Sequence, residues 1–202
     1  MSNVSSPQFW DAIYQTDCQP WDLGQPTPTF MRLLQSGRFP PGAVLVLGAG
    51  SGHDAREFAR HGFTVTAVDF SAEAVRAMRT LADPAAPVQI EQADMFALPE
   101  SWHSTFDYVL DYMCLCAIDP TRRPAYADVV ARLLRPGGRL IHLAYPLGSQ
   151  PGGPPFAINS DAVVFMFRQR GFVLSEREKV TDSVPHRRGR EELLILEKGP
   201  AR

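Results

Sequence analysis

The feature that most constrains the fold is an uninterrupted apolar run that leads directly into a glycine loop. Residues Ala43–Leu47 are all apolar, and Gly48-Ala49-Gly50-Ser51-Gly52 follows without a break. A strand that is apolar on both faces is typical of a parallel sheet covered by helices on both sides. Glycines after such a strand let the backbone turn tightly and approach a ligand closely. The pattern therefore predicts a strand, a ligand loop and a helix in succession.

The rest of the chain alternates between strand and helix patterns. Further strands are predicted over residues 64–68, 88–92, 106–110, 140–144, 172–178 and 193–197. Helices are predicted from the glycine loop to Gly62, after a cap at Ser71, over 122–134, and from a cap at Ser160 to Gly171. This alternation predicts a doubly wound, Rossmann-like α/β fold with right-handed crossovers, mostly parallel with an antiparallel last strand.

The N-terminal region is predicted to be a lid on this fold. Pro7 opens a helix with aromatic side chains at helical spacing, and residues 20–26 are too rich in Pro and Gly for regular structure. We assign residues 1–38 to the lid and 39–202 to the ligand-binding domain. A chain of 202 residues has room for one hydrophobic core, so both parts are expected to form a single folding unit.

Composition excludes several classes of partner. Lys and Arg number 20 against 22 Asp and Glu, and the net charge of -2 provides no general attraction for nucleic acid. The N-terminus lacks a basic start followed by an apolar run, and no stretch is long and apolar enough for a membrane span. We expect a cytoplasmic protein without membrane or nucleic-acid partners. The oligomeric state stays open, with a monomer favoured.

The three cysteines, Cys18, Cys114 and Cys116, suit a reducing compartment. Their odd number argues against a disulfide framework, and their spacing is not that of a zinc site. Cys114 and Cys116 follow an apolar strand, so they are interpreted as buried packing residues. No metal site is predicted.

The glycine loop and the strand ends indicate what kind of ligand could bind. The loop reads G-x-G-x-G, and His53 stands where a dinucleotide-binding loop would have its third glycine, which favours a nucleoside without a pyrophosphate. Asp69 ends the second strand, where a carboxylate can bind a ribose diol. Asp94 follows the third strand and either contacts adenine or caps the next helix. A tight turn without a ligand remains the alternative for the loop.

Several motifs together are more specific than the loop. They are Trp10 and Tyr14 ahead of Pro20-Trp21-Asp22-Leu23-Gly24, the loop with His53-Asp54, Val68-Asp69-Phe70-Ser71, Asp111-Tyr112 with Cys116-Ala117-Ile118, Tyr145-Pro146, Gly152-Gly153-Pro154-Pro155, and Ser183-Val184-Pro185 before Arg187 and Gly189. With these, nearly the whole chain resembles class I methyltransferases of the thiopurine S-methyltransferase superfamily, most closely the plant halide/thiol methyltransferases. The sequence departs from the plant pattern at Tyr14, where Trp is usual, and at His186, where Thr is usual.

This resemblance implies a cofactor, S-adenosylmethionine, with S-adenosylhomocysteine as its product. It implies that Trp10 and Trp21 cover the cofactor, that Gly48 and Asp69 hold its amino-acid and ribose parts, and that Asp94 with Met95 flanks the adenine. We also place Gly50, Gly52, Phe70 and Asp111 among the cofactor-binding residues. It implies that Tyr112, Tyr145 and Arg187 line the pocket of a small nucleophile.

The implied reaction is methyl transfer to a small sulfur nucleophile or a halide. The alternatives are a non-catalytic nucleoside-binding module and a nicotinamide oxidoreductase, which the missing third glycine opposes. Some site assignments also have simpler alternatives. The aromatic residues Trp10, Trp21, Tyr112 and Tyr145 could be core anchors. The basic residues 186–190 could form a solvated hairpin tip between the last two strands.

Overall fold

The computed structural model describes residues 4–16, 19–149 and 151–200. Cys18 lies outside the described residues. The chain divides into two compact units, one ending at Ala97 and the other beginning at Leu98. The proposed boundary between a lid and a binding domain at residue 38 stays a prediction.

Unit 1 contains a small parallel sheet with its strands in the order β3-β2-β1. The strands are β1 (Ala43–Leu47), β2 (Thr64–Asp69) and β3 (Val88–Gln92). Val44 and Leu45 have no exposed surface, as expected for a strand that is apolar on both faces. Each strand has the position predicted from its apolar pattern.

The helices of unit 1 are α1 (Pro7–Tyr14), α2 (Pro28–Gln35), α3 (His53–Arg60) and α4 (Ala72–Thr80). The predicted cap at Ser71 is confirmed, since its side chain accepts a hydrogen bond from the Ala74 backbone nitrogen. The same hydroxyl donates to Asp11, 2.6 Å away, and the Glu73 amide donates to Asp11 as well. Asp11 therefore anchors α1 at the N-terminus of α4.

Unit 2 has strands in the order β4-β5-β7-β6. They are β4 (Phe106–Tyr112), β5 (Leu134–Ala144), β6 (Phe172–Lys179) and β7 (Glu192–Lys198), with helices α5 (Arg123–Leu133) and α6 (Ser160–Arg168). The β4 and β5 strands are parallel, whereas β7 pairs antiparallel with both β5 and β6. The predicted Rossmann-like fold, mostly parallel with an antiparallel end, is confirmed.

Two local predictions in unit 2 were wrong. The strand after α5 begins at Leu134 rather than residue 140, because Leu134 already pairs with Phe106 before the register shifts and Arg139 pairs with Tyr108. The cap of α6 is Asn159 rather than Ser160, since the Asn159 side chain accepts the Ala162 amide at 2.9 Å. Both side chains favour caps, so the sequence alone could not separate these adjacent positions.

Candidate functional site

The glycine loop of unit 1 has the tight turn that its sequence predicts. Gly50 and Gly52 have φ angles of +56° and +72°, in the left-handed region that glycine tolerates. A Cβ at Gly50 would lie 3.0 Å from the Tyr14 hydroxyl oxygen, and one at Gly52 would lie 2.5 Å from Cγ of Met78. Glycine is therefore needed at Gly50 and Gly52 for two reasons. The backbone has positive φ angles there, and a side chain would collide with Tyr14 or Met78.

Asp69 is bound to this loop by its carboxylate. One oxygen accepts the Gly50 amide and the other accepts the Ser71 amide, both at 3.0 Å. Burial raises the pKa of Asp69, while these backbone hydrogen bonds oppose the shift. The Phe70 amide is a third backbone donor to this carboxylate, which has about four acceptor sites in all. The assignment of Asp69 to a ribose stays a prediction, but the structure adds a second role in fixing the loop.

Trp10, Tyr14 and Trp21 form an aromatic cluster in unit 1. The Trp21 ring lies 5.5 Å from that of Trp10 and 5.6 Å from that of Tyr14, both edge to face, and its indole nitrogen donates to the Tyr14 hydroxyl at 3.3 Å. All three side chains are half-buried, and α1 contributes no fully buried residue. Partial exposure disfavours the core-anchor alternative and is compatible with a cover over a ligand.

Asp22 ties the segment that carries Trp21 to the start of α3. Its carboxylate contacts His53 Nε2 at 3.1 Å and accepts hydrogen bonds from the Ser51 hydroxyl and the Gly24 amide. The hydrogen bond with His53 is the largest cause that holds the pKa of Asp22 below its usual range. Further along, Thr27 donates through its amide and hydroxyl to Asp54. Sequence reasoning gave Asp22 no role beyond the motif.

Asp94 and Met95 follow β3, as predicted. Asp94 is exposed, and one of its oxygens accepts the Phe96 amide at 2.9 Å, which caps a 3-10 turn at Met95–Ala97. The capping alternative is therefore realised. The adenine assignment of Asp94 and Met95, like that of Phe70 to the cofactor, stays a prediction.

Asp111, predicted among the cofactor-binding residues, lies in the interior of unit 2, and its assignment to the cofactor stays a prediction. It has no exposed surface, because β4 continues to Tyr112 and carries Asp111 into the interior of unit 2. Its carboxylate accepts the Tyr126 hydroxyl and two backbone amides, and lies 3.5 Å from Nδ1 of buried His142. Burial opposes ionisation, yet these partners keep the pKa of Asp111 below its usual value. Asp111 is an interior hydrogen-bond acceptor.

Arg187 forms the second cluster of predicted site residues, in unit 2. Its side chain is 1% exposed and its Cζ lies 5.4 Å from the Tyr112 ring centre and 5.3 Å from the Tyr145 ring centre. Its guanidinium also donates to the Tyr112 hydroxyl. The structure therefore brings Tyr112, Tyr145 and Arg187 together, as the resemblance implies. The solvated-tip alternative is wrong for Arg187, although the neighbouring His186 and Arg188 are exposed.

Glu191 completes this cluster and was missed by sequence reasoning. It is 3% exposed and accepts a hydrogen bond from the Tyr112 hydroxyl. The sequence signal was present but ambiguous: two adjacent acidic residues, Glu191 and Glu192, precede a strongly apolar strand. Charged residues at a strand entrance are usually solvated, so nothing local indicated burial.

Other expectations concern metals and membranes. Cys114 and Cys116 are buried free thiols, and burial raises the pKa of Cys116 to about 12, so both are interpreted as packing residues. In the described part of the chain, no group of three or more His, Cys, Asp or Glu side chains could hold a metal ion. None of the helices described has the length and apolarity needed to cross a bilayer.

Known proteins similar to this chain are methyltransferases. The family model for thiopurine S-methyltransferase matches residues 5–198. Thiocyanate methyltransferase 1 of Arabidopsis thaliana is 33% identical over 189 residues, covering 91% of this chain and 82% of the relative. Thiopurine S-methyltransferase of Pseudomonas fluorescens is 29% identical over 178 residues, covering 80% of this chain and 81% of the relative.

Solved structures show the same fold at lower identity. A structure described as "Conversion of a Disulfide Bond into a Thioacetal Group during Echinomycin Biosynthesis" has a TM-score of 0.78 at 24% identity, covering 96% of this chain and 93% of the other. Magnesium protoporphyrin IX methyltransferase from Synechocystis PCC 6803, with bound S-adenosylhomocysteine, has a TM-score of 0.66 at 19% identity, covering 94% and 92%. At these identities the likeness concerns the fold.

Proposed function

Because this chain belongs to the thiopurine S-methyltransferase family, we propose that it transfers the methyl group of S-adenosylmethionine to a small sulfur nucleophile or a halide. The observation that carries this proposal is buried Arg187, held against the rings of Tyr112 and Tyr145. A buried guanidinium flanked by aromatic faces suits a small anion that must shed its water before reaction.

Residues of unit 1 fit the cofactor. The left-handed glycines keep Cβ atoms away from the loop, and Asp69 offers acceptor oxygens at the end of β2. Both features suit a nucleoside with a ribose diol. We propose that Trp10 and Trp21 cover it, with Asp94 and Met95 at the adenine. When bound, S-adenosylmethionine supplies a methyl group on a positively charged sulfur.

Residues of unit 2 act on the nucleophile. Transfer to an anion cancels opposite charges as the transition state forms, so surroundings of low dielectric assist the reaction. Arg187 attracts the anion, and for a thiol, whose unperturbed pKa is about 8.5, a nearby cation raises the thiolate fraction. The rings of Tyr112 and Tyr145 exclude water beside it. Holding the reactants in line contributes up to about 7 to 11 kcal/mol in favourable geometries.

The free thiols of Cys114 and Cys116 support the further proposal that the enzyme works in the reducing cytoplasm. We also propose that it acts as a monomer, which light scattering coupled to size exclusion would test.

The experiment is a product screen by mass spectrometry. Purified protein is incubated with S-adenosylmethionine and, separately, with thiocyanate, hydrosulfide, an organic thiol, a thiopurine and iodide. We expect a methylated product and S-adenosylhomocysteine in equal amounts for at least one nucleophile. Calorimetric binding of S-adenosylmethionine without turnover of any nucleophile would favour a non-catalytic nucleoside-binding module instead.

A further inference from the structure

Glu191 places a buried negative charge beside the buried positive charge of Arg187. The Tyr112 hydroxyl connects the two groups, because it donates to Glu191 and accepts from the Arg187 guanidinium. Burial, and then the nearby Glu191 carboxylate, raise the pKa of Tyr112 well above its usual value. The phenol therefore remains protonated, and its only hydroxyl hydrogen is used by Glu191.

We propose that Glu191 is a specificity-determining residue that sets how tightly the Arg187 site holds an anionic nucleophile. This inference rests on the function proposed above. An anion beside Arg187 is attracted by the guanidinium and repelled by the nearby carboxylate, and both effects are strong where water is scarce. The net attraction is weaker than that of a buried arginine without a countercharge.

A weakened attraction is useful for this chemistry. Binding that stabilises the free anion more than the transition state slows transfer, because the anion loses its charge as the new bond forms. Together Arg187 and Glu191 carry no net charge, so the positive partners that remain for the anion are the cofactor sulfonium and Arg190, whose Cζ lies 5.4 Å from the Tyr145 ring centre. Glu191 thereby weakens binding of the free anion more than it weakens stabilisation of the transition state.

The test is the variant Glu191→Gln, which removes the charge but retains an oxygen that can accept the Tyr112 hydrogen bond. Binding of sodium thiocyanate and sodium iodide is measured by calorimetry on the full chain saturated with S-adenosylhomocysteine, at constant ionic strength. We expect the variant to bind thiocyanate about tenfold more tightly, since a repulsive charge has been removed. KM for the anion should fall, while kcat does not rise.

Two controls separate charge from structure. Glu192→Gln changes the next residue, which is similarly buried at 4% exposure and pairs with Arg177 at 3.0 Å, and it should leave anion affinity unchanged. Glu191→Asp keeps the negative charge and should bind anions more like the wild type than Glu191→Gln does. Structural damage alone would weaken anion binding, so the direction of the change decides between the explanations.

Equal or weaker anion binding in a folded Glu191→Gln protein would overturn this inference. If that variant does not fold, Glu191→Met, a neutral side chain of similar length, carries the same prediction. If neither Glu191→Gln nor Glu191→Met folds while Glu191→Asp and Glu192→Gln do, the Glu191 charge is needed for folding. That result would also overturn the inference. The proposed function fails on a different result: the wild type forms no methylated product, regardless of how the variants and the wild type rank in anion affinity.

Discussion

Nε2 of His53 lies 3.1 Å from a carboxylate oxygen of Asp22, so the first residue of α3 holds the segment that carries Trp21. The other ring nitrogen of His53 lies 2.9 Å from the Arg56 guanidinium. A guanidinium can only donate, so that nitrogen accepts, and Nε2 carries the hydrogen directed at Asp22. The lid proposed from sequence therefore has a defined attachment to the helix that follows the glycine loop.

We predict that Asp22→Ala loosens this attachment and weakens cofactor binding. Hydrogen exchange across residues 19–27 should become faster, and affinity for S-adenosylhomocysteine should fall about three- to tenfold as the contacts of Asp22 with His53, Ser51 and Gly24 are lost. The matched control is Asp83→Ala, which removes a carboxylate paired with Arg60 at 2.8 Å near the other end of α3. Unchanged exchange in Asp22→Ala would contradict a role for Asp22 in holding the lid.

Acid should reduce the stability that Asp22 provides. Its pKa is lowered in the folded protein, mainly by the hydrogen bond with His53, so its contribution is fully present above the unfolded value of about 3.9, begins to decline below it, and is lost only as pH falls through the lowered folded-state value. The difference in unfolding free energy between the wild type and Asp22→Ala, measured in urea, should therefore be largest at pH 6 and smaller at pH 3. An equal difference at pH 6 and pH 3 would rule out the Asp22 carboxylate as the source of this stability.

Substitutions of Asp69 should separate its two roles. Asp69→Ala leaves the amides of Gly50 and Ser71 without their acceptor, at a cost of about 1 to 3 kcal/mol for each unpaired group, and should lower both stability and cofactor affinity. Asp69→Asn keeps one acceptor oxygen but loses the charge. It should retain more stability while cofactor affinity falls about tenfold. Wild-type cofactor affinity in folded Asp69→Asn would refute the ribose assignment.

Arg187→Met should lower kcat/KM for anionic nucleophiles and also destabilise the fold. Removing the guanidinium takes away the positive charge that the Tyr112 hydroxyl links to the buried Glu191 carboxylate, at a cost of up to about 3 to 5 kcal/mol. The double variant Arg187→Met/Glu191→Gln should recover much of this stability but not the turnover. Arg188→Met, at the exposed neighbouring position, is the control. Intact turnover in Arg187→Met would remove Arg187 from the nucleophile site.

Asp111→Ala should unfold more easily without any specific loss of cofactor affinity. The carboxylate satisfies the Tyr126 hydroxyl and two amides in a fully buried position, so its removal should cost about 3 to 5 kcal/mol. Chemical unfolding and calorimetric titration, both at low temperature, measure the two effects. A weakened cofactor affinity with unchanged unfolding would instead support the assignment of Asp111 to the cofactor site.

Elements with strong local signals could be predicted from the sequence. The β1 strand and the glycine loop were found because an apolar run and repeated glycines define them without reference to distant residues. The start of β5 was misplaced because its first residue pairs with Phe106 across a register shift. The amino-acid pattern around Leu134 gives no sign of this pairing with a distant residue, so the start of the strand could not be predicted from it.

The site was less predictable, because burial there depends on distant partners. The basic run 186–190 has the composition of a solvated loop, yet Arg187 is buried against Tyr112, a residue 75 positions earlier in the chain. Only the family resemblance singled out Arg187 from its basic neighbours. Glu191 had only an ambiguous local signal and belonged to no motif, so its place beside Tyr112 emerged from the structure alone.

The aromatic cluster of unit 1 also gives the protein an intrinsic optical probe. The chain has 3 tryptophans. Two of them, Trp10 and Trp21, contact each other in this cluster, and the Trp21 indole nitrogen donates a hydrogen bond to the Tyr14 hydroxyl. The third, Trp102, packs against Phe106 in unit 2 and can be replaced by Phe to remove its background. Fluorescence excited at the red edge of the indole band would then report on the proposed lid alone, so any movement of this segment could be timed by stopped flow without attaching a dye.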